Sequence, residues 1–253
     1  MDALERELVV WTQHAAAGQV STAAADGLAE LSAAVADCRL CPRLVAWREQ
    51  VADEKRAAYR DEEYWGRPVP GFGDPAARLV VVGLAPGAHG ANRTGRMVTG
   101  DRSGDWLFRS LHHAGFAELA TSIDRSDGQE MHDARITAPV RCAPPDNKPT
   151  TLERDNCTQW FDAELDLLDQ ATVYVCLGGY GYVALWRHLQ NRGEALTRPR
   201  PRFEHGGGVQ LPGGRLLIMS YHPSQQNTFT GRLTAPMLDA VFVRARGAIA
   251  LRR

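Results

Sequence analysis

Four cysteines stand in two clusters far apart in the chain, Cys38-Arg39-Leu40-Cys41 and Cys142 with Cys157. The spacing is C-x2-C, a gap of 100 residues, then C-x14-C. A C-x2-C turn aims two thiolates at one point, and four thiolates suit tetrahedral zinc and an iron–sulfur cluster equally well. Four merely buried thiols are the plain alternative, since free cysteine is commonly buried, but that reading leaves the C-x2-C pair unexplained. The gap means that a shared centre would clasp the start of the chain to its middle, unlike an autonomous zinc finger with its ligands in one short stretch. Cys176 lies inside an apolar run and reads as core.

Three further segments carry side chains of chemical interest. The first runs from Gly83-Leu84-Ala85-Pro86-Gly87 to Thr99-Gly100-Asp101. Its glycines let backbone approach a ligand closely. It is not a Walker loop, having no Gly-Lys-Ser/Thr, and not a dinucleotide fingerprint, because Pro86 stands where the helix should open. Asp101 has the residue type and setting of a helix N-cap. The second segment, Cys142-Ala143-Pro144-Pro145-Asp146-Asn147-Lys148, places an amide after a turn. Asn147 could close an Asx turn or offer a donor and an acceptor to a base edge. The third, Tyr221-His222-Pro223-Ser224-Gln225-Gln226-Asn227, sets an imidazole after an apolar strand, where a lone histidine is ordinarily a surface or structural residue.

The elements that must position these groups alternate. Apolar runs at 78–87, 135–140, 172–178 and 215–221 are bounded by turn residues and read as buried strands. Helical stretches lie at 104–115, 151–169, 179–192 and 233–248. A charged stretch at 43–63, without Gly or Pro, predicts a solvated helix, and 66–75 is a loop by every turn signal. Alternation of this kind predicts an α/β fold: a three-layer sandwich with a central, mostly parallel four-stranded sheet flanked by helices. The working site then belongs beyond the carboxyl ends of the strands. A single domain is expected over 1–253, with residues 1–27 forming an extra N-terminal helix.

Composition narrows the function classes. With 253 residues and 44% apolar content the chain buries a substantial core. A net charge of −1 excludes a global basic field, though not a local basic groove. There is no run of 18 apolar residues and no secretory pattern at Met1-Asp2-Ala3-Leu4, so no membrane partner is expected. Five cysteines without a disulfide pattern predict a reducing, cytoplasmic setting.

Taken in order, the cysteine spacing and the three segments resemble the uracil-DNA glycosylase superfamily, and within it the iron–sulfur branch called family 5. The resemblance runs over about residues 35–245. It implies a structural [4Fe–4S] cluster on Cys38, Cys41, Cys142 and Cys157. It implies catalysis by Asp101, on the sugar cation and attacking water, and by His222, donating to the O2 of the leaving base, with Asn147 reading the base edge. Gly83, Leu84, Ala85, Pro86, Gly87, Val98 and Ser224 would line the substrate site. Gln225, Gln226 and Asn227 would enter the duplex and fill the space of the flipped nucleotide. Arg93, Arg96, Lys148 and Arg232 would face phosphates. Related enzymes often carry a carboxylate or amide at the Leu84 position, and its absence marks this branch.

Val98 replaces an aromatic that stacks on uracil, which implies a wider range including hypoxanthine and xanthine. The implied protein is a monomeric, monofunctional glycosylase of base-excision repair acting on double-stranded DNA. Two rivals are a non-catalytic DNA-binding module on the same fold and a Cys/His zinc hydrolase, which would need an open coordination position.

Overall fold

The computed structural model describes residues 22–251. The extra helix expected over 1–27 therefore lies largely outside the described residues, and helix α1 is Thr22–Ala36. Helix α2 (Pro42–Glu54) follows the first cysteine pair. Strand β1 (Phe72–Gly73) and strand β2 (Leu79–Val82) precede the one-turn α3 (Ala91–Thr94) and helix α4 (Arg102–His113). Then come β3 (Ala134–Thr137), α5 (Thr151–Leu167), β4 (Val173–Leu177), α6 (Gly179–Asn191), β5 (Gly208–Gln210), β6 (Leu216–Ser220), α7 (Gln225–Phe229) and α8 (Ala235–Ala250).

The sheet order is β1-β3-β2-β4-β6-β5. Its middle four strands are parallel, in keeping with the sequence, and the short edges β1 and β5 pair antiparallel. The edges escape sequence reading because two or three residues carry no alternation, and β1 falls in the Gly/Pro-rich stretch taken as loop. Alternation on the middle strands builds two cores. Leu79, Val81, Ile136, Val175 and Ile218 pack with Leu107, Phe108, Leu238 and Phe242 of α4 and α8. Val80, Val82, Tyr174, Cys176, Leu217 and Met219 face Phe161, Leu165, Leu185 and Trp186 of α5 and α6. Fully burying one such side chain is worth about 1.5–3 kcal/mol, so both helical layers are firmly held.

One strand breaks the apolar rule. Arg135 and Thr137 of β3 turn toward α5, where Glu164 receives Arg135 Nε at 2.6 Å and Thr137 Oγ1 and Arg141 Nη2 each at 2.5 Å. Burial works to raise the Glu164 carboxyl, but Arg141 and Arg135 outweigh it and hold it below the usual range.

The helix predicted over 43–63 stops at Glu54. Its buried residues are Leu44, Val45, Arg48 and Val51, and beyond Val51 no apolar face remains to reward further turns. Lys55 adopts φ 54° and its N–H closes on Val51 O.

Candidate active site and cysteine recess

The carboxyl ends of β3, β2, β4 and β6 share one edge, because these strands run parallel side by side. From β2 the chain passes through Gly83, Leu84, Ala85, Pro86 and Gly87 to Gly90. Asp101 caps α4, accepting a hydrogen bond from Gly104 N at 3.0 Å. Its second oxygen rests against the β2 loop, where a Cβ at Gly90 would collide with Asp101 Oδ2 and one at Gly87 would crowd it. Burial pushes the Asp101 carboxyl up, opposed by the amides of Gly104 and Ser103. Just before it, Val98 takes φ 51°, an uncommon backbone for a β-branched residue and one that concentrates at functional sites.

Arg93 and Arg96 are buried supports of this segment rather than phosphate contacts. Arg93 pairs with Glu62 and donates to Gly100 O at 2.7 Å. Arg96 bonds Asp127 at 2.6 Å and Ser122 at 2.9 Å. Arginines among glycines in a polar loop read as surface, and nothing local in the sequence marks their burial. Lys148 and Arg232 are exposed, with Arg232 over the Tyr221 ring at 4.4 Å.

His222 leaves β6 half-buried, with its Cβ 3.6 Å from where a side chain on Gly178 would begin. Burial pushes its imidazole down to about 4, so it is neutral near pH 7. Its carbonyl accepts from Asn227 Nδ2 at 2.8 Å. The segment expected as an open loop winds into α7, with Ser224 at its N-cap and Gln225 and Gln226 exposed. Phe229 ends that turn 66% exposed, and the Arg102 guanidinium lies over its ring at 4.3 Å. Arg102 directly follows Asp101, so this contact joins the lip bearing the carboxylate to the lip bearing His222. Neither Arg102 nor Phe229 figured in the sequence reading. His89 is another such residue: it lies between Gly87 and Gly90, and its Nδ1 is 3.1 Å from the Tyr64 hydroxyl.

Asn147 is exposed on the β3 loop, in a turn where Asp146 and Asn147 have φ 54° and 56°. Asparagine tolerates that left-handed backbone better than most residues. Asn147 follows β3, whose carboxyl end shares an edge with those of β2 and β6, and no hydrogen bond among the described residues joins it to Asp101 or His222. Arg43 of α2 anchors its loop, bonding Lys148 O at 3.2 Å and both oxygens of Glu153 at 2.7 Å.

That anchor comes from the cysteine end of the molecule. Cys41 caps α2, Cys157 lies on α5, and Cys38, Cys41, Cys142 and Cys157 line one recess. Among the described residues no group of three or more His, Cys, Asp or Glu side chains stands ready to hold a metal ion by spacing alone. The recess weighs more, because thiols draw in on a metal only as they lose their protons. Burial pushes Cys142 up to about 11 and Cys157 up to about 12. Three N–H groups already point at sulfur: Arg48 Nη1 to Cys142 at 3.0 Å, Arg141 N to Cys157 at 3.3 Å and Asn156 Nδ2 to Cys41 at 3.6 Å. Arg48 Nε, Arg141 Nε and Nη1, and Trp160 Nε1 are buried donors without a partner. Four sulfurs in one recess, three of them receiving N–H donors, fit a thiolate-bound metal centre. Cys176, fully buried in the second core, stands apart from it.

A family model described as "Uracil DNA glycosylase superfamily" matches residues 70–245. The chain belongs to the uracil-DNA glycosylase superfamily. It is 52% identical over 223 residues to a Type-5 uracil-DNA glycosylase of Mycobacterium tuberculosis, covering 88% of this chain and 82% of that one. A Type-5 uracil-DNA glycosylase of Thermus thermophilus is 52% identical over 209 residues, 83% of this chain and 92% of the relative. A Type-4 uracil-DNA glycosylase of Thermotoga maritima is 29% identical over 157 residues, 62% and 69% of the two chains. The superfamily and its family 5 branch are those the motifs indicated. Within this member of the superfamily no helix of the described residues is long and apolar enough to cross a membrane.

Proposed function

We infer that this protein is a DNA glycosylase that hydrolyses the N-glycosidic bond of uracil in DNA. The observation that carries the reading is a half-buried carboxylate, Asp101, and a neutral imidazole, His222, on facing lips joined by Arg102 and Phe229. Bond cleavage to an oxocarbenium sugar and a base anion needs an anionic group near the sugar and a hydrogen-bond donor near the base oxygen. Asp101 supplies the first and orients water, while His222 donates to the departing base without first having to lose a proton. Asn147 offers its amide to the edge of the extruded base. The one lysine of the three motif segments, Lys148, is exposed and assigned to phosphate, so strand cleavage through a Schiff base is not part of the proposed reaction.

The reading extends to a monomer acting on double-stranded DNA as a single domain. Lys148 and Arg232 meet phosphates, which makes binding fall as salt rises. Phe229, exposed at the end of α7, enters the stack in place of the flipped nucleotide, with Gln225 and Gln226 beside it. Val98 in place of an aromatic widens the base range to hypoxanthine and xanthine. Cys38, Cys41, Cys142 and Cys157 hold a [4Fe–4S] cluster, which supplies cross-linking of α2, the β3 loop and α5, and no step of the reaction.

The test is a panel of duplexes carrying uracil, hypoxanthine, xanthine or thymine opposite each normal base, scored for abasic sites. Abasic sites from the uracil duplexes with wild type, formed at least about a hundredfold more slowly with Asp101→Asn, are expected. Binding of those duplexes without base release would leave a DNA-binding module on a glycosylase fold. Release of uracil alone would remove the wider base range.

A further inference from the structure

We propose that Arg48 and Arg141 are the counter-ions of the metal centre, held ready in the protein to neutralise a buried dianion. This rests on the reading that the four cysteines bind a [4Fe–4S] cluster. Both arginines line the cysteine recess, with residue exposures of 2% and 1%. Arginine is rarely buried so completely unless its charge is met.

The charges present do not meet it. Arg135 and Arg141 share one buried carboxylate, Glu164. Arg48 has only Glu49, half-exposed and 3.8 Å away. Three buried guanidiniums against one buried carboxylate leave two positive charges over, together with the partnerless N–H groups Arg48 Nε, Arg141 Nε and Arg141 Nη1. Four thiolates around [4Fe–4S] in its 2+ state carry a net charge of −2, as they do around zinc. Its sulfur atoms are hydrogen-bond acceptors, and Arg48 Nη1 already stands 3.0 Å from Cys142 Sγ. Charge and donors thus match a four-thiolate metal centre.

Two consequences separate this role from simple packing. A cation beside the cluster slows its loss, and it favours the reduced, more negative state, raising the reduction potential. The experiment uses the holoprotein purified without oxygen, as wild type, Arg48→Gln and Arg48→Lys. Iron release to a chelator is followed by loss of visible absorption, and the potential by dye-coupled titration. Arg48→Gln is expected to release iron at least about tenfold faster. At a fixed potential its oxidised-to-reduced ratio is expected to rise about tenfold, equivalent to 59 mV for one electron. Arg48→Lys keeps the charge and recovers most of both effects.

Equal release rates and equal potentials in all three proteins overturn the proposal. So does Arg48→Lys failing as badly as Arg48→Gln, because shape would then outweigh charge. If Arg48→Gln does not load, Arg141→Gln against Arg141→Lys and wild type gives the same comparison, with equal release rates in all three counting against the charge role. Purification with one zinc and no iron would end the iron–sulfur reading. The counter-ion role would then be judged on zinc release by the same variants.

Discussion

Asp101 and Gly90 are built around each other: the carboxylate oxygen that the helix cap leaves over occupies the space where any side chain at position 90 would begin. The glycine is required by the seat of the acid, whatever its own dihedrals. Gly90→Ala is therefore expected to displace Asp101 and slow single-turnover excision by about a hundredfold, the scale for a misplacement near 1 Å. Against an Asp101→Ala background the same change should cost little more, since the group it displaces is gone. Independent, multiplying losses in the double variant would show that Gly90 acts on something else.

The helix cap made by Asp101 and the catalytic role proposed for it separate by substitution. Asparagine caps as well as aspartate, so Asp101→Asn should melt near wild type and lose about 10²–10³-fold in excision. Asp101→Ala should lose a similar activity and about 1 kcal/mol of stability besides. Thermal melts and single-turnover assays on both variants decide the matter, and a fully active Asp101→Asn removes the residue from the chemistry.

Much of this was readable in advance, and the failures have physical causes. Four parallel strands, the motif loops at their ends and the core position of Cys176 follow from local runs of apolar and turn residues. The end of α2 at Glu54 does not, because a charged stretch without Gly or Pro carries no sign of where its buried face stops. Arg48, Arg141 and Glu164 stayed hidden for the opposite reason. Each looks like an ordinary surface charge until α2, β3 and α5 are packed, and only then do the buried guanidiniums stand beside the cysteines. Arg102 and Phe229 meet from residues far apart in the chain, with no motif to announce the pair.

The pH response follows from His222 and Asp101. Folded His222 stays neutral down to about 4, whereas the unfolded chain takes up its proton near the ordinary value of 6.5. Its contribution to stability is complete above 6.5 and is lost as pH falls toward 4. Wild type should therefore lose more of its melting temperature over that window than His222→Gln. Activity should be flat with respect to His222 from pH 5 to 8, with an acid limb centred above the ordinary aspartate value of 3.8 as Asp101 protonates. A rise in activity on acidification through pH 6 would contradict a neutral donor.

On the proposed [4Fe–4S] cluster, removing iron with a chelator should abolish excision in step with the loss of visible colour. It should also raise amide exchange across 142–157, the stretch that Cys142, Cys157 and Arg43 hold. Unchanged exchange there would separate the recess from the Asn147 loop.

Phe229→Ala removes the exposed ring and frees Arg102. Excision of uracil paired with adenine should fall about tenfold, within the 1–3 kcal/mol of a base–aromatic stack. Uracil opposite guanine should suffer less, because a mispaired base leaves the helix more cheaply. Equal losses on the two duplexes would deny Phe229 a part in extrusion.

The wide separation of the two cysteine pairs also governs how the molecule is made. A nascent polypeptide emerging from the ribosome presents Cys38 and Cys41 a hundred residues before Cys142 follows, and Cys157 later still. Until then the early pair supplies only two of the four thiolates of the proposed centre. On the proposed four-cysteine centre, assembly is accordingly a late event in biogenesis, sealing the amino-terminal helices onto a sheet whose first strands have already been synthesised.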